Sequence, residues 1–507
     1  MRLLRELFCY RNDFNSGCSE LPFCRFLCRT GGNWGGQKME QTGIPPGVRP
    51  ALRSPPPDAL QAYAAAEGLA RSSPDLSARM TLTLAQRRWL ARAFAVAGPV
   101  ALVLPQLPVA TFMLLAPPVF LAIVLFRLLL VIVARMPRRA TGGPDTATPL
   151  LPVYTILIAL KDEAACIPQL AHAMTMMDYP DNLLDLKLIV EAADHDTRMA
   201  IEAAAWPANT ELLTVPPGRP QTKPRALNYG LARAQGAYVV VYDAEDRPHP
   251  GQLKAAIDVF NRSGPQTVCL QAPLVGVPAQ GGWLARQWAQ EYAIQFGLIV
   301  PALARLGLPI ALGGTSNHFR RTPLVEAGGW DAWNVTEDAD LGLRLARLGH
   351  RVGTIASPTL EAPPEEGRIW LSQRSRWLKG YVQTWCVQMR RGSRADGRLG
   401  PAAQASVQLT LGAAILSALA HGLWAVWCAA CLIDPSLRLG PSGTVLLALS
   451  LGVAIFTAAL APGPSGWRRL ADIATMPLYW PLQSLAMVRA LWSLARTPHY
   501  WAKTPHV

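Results

Sequence analysis

The chain has 507 residues, of which 50% are hydrophobic and only 16% are charged, a composition typical of membrane proteins. The formal net charge is +14, and the Lys and Arg residues cluster beside long apolar runs, as the positive-inside rule describes. No basic segment is interleaved with aromatics in the manner of a nucleic-acid-binding domain, so we expect no nucleic-acid partner. The spacing of the nine cysteines does not indicate a secreted disulfide framework. Cys428 and Cys431 lie inside an apolar run and are predicted to be packing residues, not metal ligands.

Residues 1–85 are predicted to be disordered, because Gly, Pro, Ser and Arg dominate them. Charges and cysteines interrupt the first apolar stretch, so we expect no cleavable signal peptide. The cysteine-rich beginning differs from the rest of the chain, and Met39 is an alternative start of translation.

A transmembrane hairpin of two helices is predicted within residues 86–140. Residues 93–134 carry one charge, Arg127, and these 42 residues suit two short spans of ~20 residues each. Arginines flank the run on both sides, which places both of its ends in the cytoplasm. A buried helical hairpin in a soluble protein is the alternative interpretation.

Residues 150–365 read as a cytoplasmic α/β domain. Short apolar, β-rich runs alternate with helical segments, and this alternation predicts a doubly wound, mostly parallel sheet. The predicted strands are residues 153–160, 186–190, 211–215, 237–242 and 267–271. In such a sheet, ligands bind beyond the carboxyl ends of the strands.

Polar clusters follow three of these strands. They are Lys161 to Glu163 after the first, Glu191 and Asp194 after the second, and Asp243, Glu245 and Asp246 after the fourth. A solvated turn explains any one cluster, but three at the ends of one sheet predict a site. Lys223 stands at a predicted helix start, where the helix dipole disfavours a cation. The position is favourable if Lys223 and the helix N-terminus both face an anion such as a pyrophosphate. The alternative interpretation of Lys223 is a solvated surface lysine. His318 is predicted to be a structural histidine.

The stretch around Thr336, Glu337 and Asp338 concentrates carboxylates directly before a helical pattern that Gly349 ends. The plain interpretation is a helix start, since acids in a first turn suit the helix dipole. A basic and aromatic segment, residues 366–404, follows and predicts amphipathic interface helices. Residues 405–433 and 443–461 are predicted spans. Residues 471–494 fit an interfacial segment as well as a span, so the side of the C-terminus stays open within the membrane region 405–507.

Together these motifs resemble the membrane-integrated family 2 glycosyltransferases, which include bacterial cellulose, hyaluronan and chitin synthases. They look closest to a bacterial subgroup of exopolysaccharide synthases. The resemblance rests on the QxxRW signature (Gln373, Arg376, Trp377) beside the Thr-Glu-Asp triplet, and it covers residues 87–506. It implies an α/β GT-A domain between transmembrane helices and an inverting transfer from a UDP-sugar with Mg²⁺ or Mn²⁺.

The resemblance also implies roles for individual residues. Asp338 would be the general base, and Asp243 with Glu245 or Asp246 would hold the diphosphate and the metal. Glu191, Asp194 and Lys223 would lie near the nucleoside, with Glu337 and Gln373 in the substrate site. Arg376 would contact the diphosphate, and Trp377 would stack on an acceptor sugar. The Asp-Ala-Glu-Asp segment is one residue longer than the family's DxD motif, and Glu191 and Asp194 are not adjacent as in the family.

The resulting hypothesis is an inner-membrane, multi-pass enzyme that extends a β-linked polysaccharide and exports it, with partners in the periplasm or outer membrane. A single-transfer enzyme with a lipid-linked acceptor is the second hypothesis. A membrane scaffold or adsorption protein that keeps the fold without turnover is the third, and it predicts decay of the acidic motifs. Asp243, Asp246, Asp338 and the QRSRW segment argue against that decay.

Overall fold

The computed structural model describes residues 52–104, 106–137, 150–277, 281–390, 397–437 and 440–501. The expectations for residues 1–51, including the alternative start at Met39, lie outside these ranges. Strands and helices are numbered below in chain order.

The strands of the described chain form two sheets. The large sheet has the order β3-β2-β1-β4-β8-β6-β9, and the small one the order β5-β10-β7. In the large sheet β8 is antiparallel to β4 and β6, and the other neighbours are parallel. The strands are β1 Tyr154–Leu160, β2 Leu184–Glu191, β3 Thr210–Val215, β4 Tyr238–Tyr242, β5 Arg247–Pro248, β6 Thr267–Gln271, β7 Leu274–Gly276, β8 Asn317–Arg320, β9 Arg351–Thr354 and β10 Thr359–Glu361.

The predicted doubly wound sheet is therefore present, and all five predicted strands lie within a residue or two of their expected bounds. Strand β1 is central and buried on both faces, which is why its sequence is apolar throughout instead of alternating. Ile156 and Ile158 face one hydrophobic core and Leu157 faces the other. The sheet thus separates two layers of helices, and its carboxyl edge is left for the site.

The α-helices of the described chain pack on both faces of the sheet and beside it. They are α1 Ala59–Ser72, α2 Leu84–Val103, α3 Gln106–Arg135, α4 Ile167–Thr175, α5 His195–Ala203, α6 Lys223–Leu231, α7 Gln252–Arg262, α8 Trp283–Ile294, α9 Val300–Leu306, α10 Arg321–Glu326, α11 Glu337–Arg347, α12 Gly367–Gln388, α13 Pro401–Val407, α14 Ala413–Ile433, α15 Pro441–Leu460 and α16 Trp467–Arg496. Short π-helical segments join α8 to α9 and α13 to α14.

Helix α1 corrects the expectation of disorder before residue 86. Asp58 caps it by accepting hydrogen bonds from the backbone N–H groups of Leu60 and Gln61, at 2.9 and 3.0 Å. Its small apolar face, including Ala62 and Ala65, is buried and belongs to the core on the α6 side of the sheet. The sequence has enough alanine for a helix. Burial against the α/β domain supplies the stability that composition alone did not indicate.

Three described helices are long and apolar enough to cross a membrane: Leu114–Arg135, Pro401–Ile433 and Pro441–Leu460. The last two correspond to the predicted C-terminal spans. The N-terminal pair of helices is present as α2 and α3, but α2 begins at Leu84 and carries Arg87, Arg88 and Arg92 in its first half. Fewer apolar residues therefore remain in α2 than a bilayer span requires.

Helix α12 carries the QRSRW segment on one continuous helix of 22 residues. It packs closely against the start of α11: a Cβ added to Gly380 would lie 2.3 Å from the Thr336 hydroxyl oxygen, so only glycine permits this approach. Gln383 accepts a hydrogen bond from the backbone N–H of Val335 at 3.3 Å. The two motifs singled out in the sequence are thereby held against each other.

Candidate active site

A cavity of about 1180 Å³ opens at the carboxyl edge of the large sheet. One half of it lies between the loops that follow the strands, and the other half lies between helices α3, α14, α15 and α16. Of the predicted site residues, the cavity is lined by Glu191, Lys223, Asp243, Glu245, Glu337, Asp338, Gln373, Arg376 and Trp377.

Lys223 and Asp243 form an ion pair in the polar half of the cavity. Asp243 directly follows β4, and Lys223 is the first residue of α6. The Lys223 ammonium also donates to the backbone carbonyl of Gly314, at 2.7 Å. Burial lowers the pKa of Lys223, but Asp243 and Glu337 outweigh burial and hold that pKa above its usual value. A cation and a helix N-terminus thus face the same space, as the sequence predicted.

Asp246 does not line the cavity, which corrects its prediction as a metal ligand. Its side chain is buried, and its Oδ2 accepts hydrogen bonds from the backbone N–H of Asp243, at 2.7 Å, and from the Thr315 hydroxyl. Burial, reinforced by Asp243, raises the pKa of Asp246 well above its usual range. In the longer Asp-Ala-Glu-Asp segment, the last acid therefore stabilises the turn that presents Asp243.

Glu361 is a cavity-lining carboxylate that the sequence did not reveal. It ends the short strand β10, which pairs with β7 and so lies near the turn after β4. The Tyr292 hydroxyl donates a hydrogen bond to it, and Asp243 and Glu245 act on it electrostatically. Burial, with Glu245 and Asp243 adding to it, raises the pKa of Glu361 to about 8. No local pattern marks this residue, because only the small sheet brings it to the site.

Glu337 and Asp338 begin α11 and point to the same cavity. Burial raises the pKa of Glu337 to about 7, with the Asp338 charge adding to the effect. Burial also raises the pKa of Asp338, while the Ala339 backbone N–H, Lys223 and Arg376 oppose that rise. Lys223 and Arg376 favour the ionised form of both carboxylates. Gly314 leaves room for Asp338, since an added Cβ there would lie 3.4 Å from the Asp338 Oδ2.

The residues of the QRSRW segment lie at the junction of the two halves. Gln373 accepts a hydrogen bond from the Trp288 indole N–H at 3.1 Å, so its side chain positions an aromatic neighbour. Arg376 is within electrostatic reach of Glu337, Asp338 and Asp243. The Arg374 guanidinium lies 4.8 Å from the ring centre of Trp377.

Trp501 also lines the cavity, and it was not among the predicted site residues. The Arg376 guanidinium lies 5.3 Å from its ring centre. The C-terminal segment that carries Trp501 is held on α12, because the Lys379 ammonium donates to the carbonyl of Tyr500 at 2.7 Å and the Gln383 amide donates to that of Pro498 at 3.0 Å.

Glu191 and Asp194 separate in the structure. Glu191 lines the cavity and pairs with Arg225 at 3.4 Å between Oε1 and Nη1. Asp194 caps α5 instead: its Oδ1 accepts from the Thr197 N–H at 3.2 Å and its Oδ2 from the Asp162 N–H at 2.5 Å. Both carboxylate oxygens are used by the backbone, so the structure does not bring Asp194 into the site. His318 is buried between Tyr154 and Gln252, as expected of a structural histidine.

The carboxylates fit a divalent ion that is shared with a substrate phosphate. Among the described residues, no group of three His, Cys, Asp or Glu side chains converges as a cage for a metal. Asp243 and Glu245 line the cavity, with Glu361 nearby, and they offer only hard oxygen ligands. Mg²⁺ is commonly bound through one or two carboxylates plus substrate phosphates, so these residues suit such an ion.

Comparison with known proteins shows what this part of the chain is similar to. Residues 238–461 match the model of the glycosyl transferase family group 2. The chain is 27% identical over 257 residues to beta-monoglucosyldiacylglycerol synthase of Trichormus variabilis, covering 48% of this chain and 53% of that protein. It is 23% identical over 239 residues to poly-beta-1,6-N-acetyl-D-glucosamine synthase of Staphylococcus aureus, covering 47% and 56%.

Among solved structures, the fold is similar to that of the mannosyltransferase PcManGT from Pyrobaculum calidifontis in complex with GDP-Man and Mn²⁺. The TM-score is 0.50 at 19% sequence identity, over 76% of this chain and 98% of that one. At this identity the likeness establishes a GT-A-like fold. The chain spans about half the length of the curated relatives it matches.

The scaffold hypothesis predicts decay of the acidic motifs, and the described residues retain them. The family match covers the turn with Asp243, the Thr-Glu-Asp triplet and the QRSRW helix, and the structure brings Asp243, Asp338 and Arg376 to one cavity. Residues 238–461 therefore carry a domain that matches the glycosyl transferase family group 2.

Proposed function

We propose that this protein is an enzyme that transfers a sugar from a UDP-sugar, with inversion at the anomeric carbon, to a hydroxyl of an acceptor held at the inner membrane. The observation that carries the proposal is the single cavity that holds Asp338, Lys223, Asp243 and Arg376 and continues between apolar helices. Its polar half suits a charged donor, and its apolar half suits an acceptor that arrives from the bilayer. The catalytic domain would then lie in the cytoplasm.

Inverting transfer needs one carboxylate to take the proton of the attacking hydroxyl. Asp338 suits this role, because Lys223 and Arg376 favour its charged form in a buried position. Glu337, with a pKa raised to about 7, can keep its proton beside it. One carboxylate of the pair would therefore accept the proton, and its neighbour would limit the negative charge around it.

The departing nucleoside diphosphate needs positive charge. Lys223, at the N-terminus of α6, and Arg376 supply it from opposite elements of the site. A Mg²⁺ or Mn²⁺ ion held by Asp243 with Glu245 would add Lewis-acid stabilisation of the diphosphate oxygens. Glu191, which lines the cavity, would contact the nucleoside.

We favour a lipid-borne hydroxyl as the acceptor. The helices contribute apolar walls such as Phe120, Val124 and Leu447, which match acyl or prenyl chains better than a hydrated glycan. The similarity to a glucolipid synthase points the same way. A growing β-linked polysaccharide with coupled export is the second candidate, and the aromatic side chains of Trp377, Tyr381 and Trp501 at the junction favour it, since they suit a sugar.

The test uses the full-length protein in lipid nanodiscs with a panel of UDP-sugars and either Mg²⁺ or Mn²⁺. UDP release with a β-linked, organic-extractable product is expected, and chelation by EDTA should stop it. A long water-soluble polymer would favour the second candidate. Absence of turnover with every nucleotide-sugar, or an α-linked product, would contradict the proposed reaction.

A further inference from the structure

The apolar half of the cavity contains a cation that the proposed transfer does not use. Arg127 lines the cavity from α3, eight residues before the last residue of that helix, Arg135. At the rise of an α-helix this separation is about 12 Å along the axis, inside the candidate span Leu114–Arg135. An ionisable residue at that depth is costly in a bilayer unless a partner or a ligand compensates its charge.

Within the described part of the chain, Arg127 has no hydrogen bond and no ion pair. Glu291 acts on it electrostatically, but that carboxylate is already engaged. It forms an ion pair with Arg374 and accepts hydrogen bonds from the Tyr479 hydroxyl, at 2.8 Å, and from the Gln483 amide, at 3.2 Å. Glu291 therefore neutralises Arg374, and the charge of Arg127 is left over.

A second polar group beside Arg127 also lacks a partner. His421 lines the same cavity from α14 and lies within electrostatic reach of Arg127. Its ring stacks on Trp480, with ring centres 5.3 Å apart and planes 19° apart. Its Nδ1 atom is buried and has no hydrogen-bond partner among the described residues. A charge and an unpaired nitrogen on two different helices thus meet in one apolar groove.

We propose that Arg127 and His421 bind the phosphate of an anionic membrane lipid whose chains lie in the groove between α3, α14 and α15. Phosphate supplies what the two side chains lack: a compensating negative charge for the guanidinium and oxygens that pair with a ring N–H. The walls around them are apolar, so the occupant must carry hydrocarbon next to its charge. Basic pockets between membrane helices bind anionic head groups by this combination.

This proposal rests on the proposed function only in taking the groove as the acceptor's path, and it adds that the lipid in it carries a phosphate and a net negative charge. A neutral lipid such as a diacylglycerol would leave the charge of Arg127 uncompensated.

The experiment measures lipid binding to the detergent-purified, full-length protein by native mass spectrometry, without any nucleotide-sugar. The probes are phosphatidylglycerol, phosphatidylcholine and diacylglycerol of the same chain length. We expect phosphatidylglycerol to bind about tenfold more tightly than the other two, the scale of one charge-assisted hydrogen bond. Arg127→Gln should abolish this preference, and Arg127→Lys should retain most of it.

Arg135→Gln is the matched control, because Arg135 ends the same helix and does not line the cavity; it should keep the full preference. If Arg127→Gln fails to fold, His421→Gln tests the same site, with a partial loss expected. Equal binding of all three lipids, or an unchanged preference in both variants, would overturn the proposal. Displacement of phosphatidylglycerol by an equal concentration of inorganic phosphate would assign the site to a soluble anion and overturn it too. The lipid-binding experiment contains no nucleotide-sugar, so its result does not depend on sugar transfer. Failure of the proposed function would be seen separately, in the UDP-release assay.

Discussion

The two halves of the cavity belong to one space but differ in how they treat charge. In the polar half, cations and carboxylates stand in contact: Lys223 pairs with Asp243, and Glu191 pairs with Arg225. These groups stand at the ends of β2 and β4 and in the first turn of α6, at the carboxyl edge of the sheet. In the apolar half, hydrocarbon side chains of long helices dominate, and Arg127 lacks an ion pair among the described residues.

Under the proposed function, this difference predicts where each substrate enters. A nucleotide-sugar carries its own charge and needs the fixed charges of the polar half, whereas an acceptor from the bilayer needs the hydrocarbon walls of the other half. Asp338 and Trp377 lie where the halves meet. Substitutions in the polar half should therefore damage the chemical step, and substitutions in the apolar half should damage the use of the acceptor.

The largest effect is expected for Asp338→Asn. The variant keeps the shape of the side chain but removes the proton acceptor, so sugar transfer should fall by ~10²–10⁴-fold. UDP affinity should persist, because Lys223 and Arg376 are unchanged. The measurement combines transfer rate with UDP binding on the same folded sample. A merely structural role at the start of α11 predicts about 0.3–1 kcal/mol lower stability with nearly normal turnover, and that outcome would end the assignment.

Two aspartates in one turn give the next test. Asp243→Asn should lower kcat by roughly 10²–10³-fold, the range for removing one electrostatic group from an active site, and should weaken the activation by Mg²⁺. Asp246→Asn should turn over at nearly the wild-type rate, because burial already favours a neutral carboxyl there and an amide oxygen can accept from Thr315 and from the backbone. A reversed order of the two rates would show that Asp246 is the residue that meets the metal.

A smaller effect is expected from filling the groove. Ala414→Trp, on the cavity face of α14, should displace about two acyl methylenes, at ~0.8 kcal/mol each. The KM for a long-chain acceptor should then rise by about tenfold, with little change for a short, soluble acceptor. Ala429→Trp is the control, since Ala429 is exposed on the same helix and does not line the cavity. Equal loss for both acceptors would mean that the groove does not hold the chain of the acceptor.

The sequence predicted those parts of the fold and site that depend on local pattern. Strand β1 is apolar throughout because it is buried on both faces, and that pattern is legible without a structure. Lys223, Asp243 and Asp338 were singled out because each stands at the start or end of an element, near the carboxyl edge of the sheet. Arg376 lies inside α12 and was singled out by the QxxRW signature.

The remaining parts depend on contacts between distant segments. Asp246 accepts a hydrogen bond from the Thr315 hydroxyl, and Asp194 accepts one from the backbone N–H of Asp162. The spacing of residues in the sequence cannot reveal either contact. Glu361 reaches the cavity through the pairing of β10 with β7, and Trp501 through the hold of α12 on the C-terminal segment. Helix α1 was missed for the same reason, since its stability comes from burial.

The smallest effect concerns Trp377, and it probes the junction itself. The Arg374 guanidinium lies over the ring, and Tyr292 lies 6.3 Å from it between ring centres, so the indole is supported by neighbours on the protein side while it lines the cavity. If the indole stacks on an acceptor sugar or head group, its removal costs about 0.5–1.5 kcal/mol beyond area burial. Trp377→Ala should therefore raise the KM for the acceptor by about twofold to tenfold, while the affinity for UDP-sugar stays the same.

Trp492→Ala is the matched control, because Trp492 is also covered by an arginine, Arg496, but is 61% exposed and lies outside the cavity. Parallel loss of donor and acceptor binding in Trp377→Ala, together with a lower melting temperature, would make this tryptophan a packing residue of the junction and would leave the proposed reaction to Asp338 and Arg376 there.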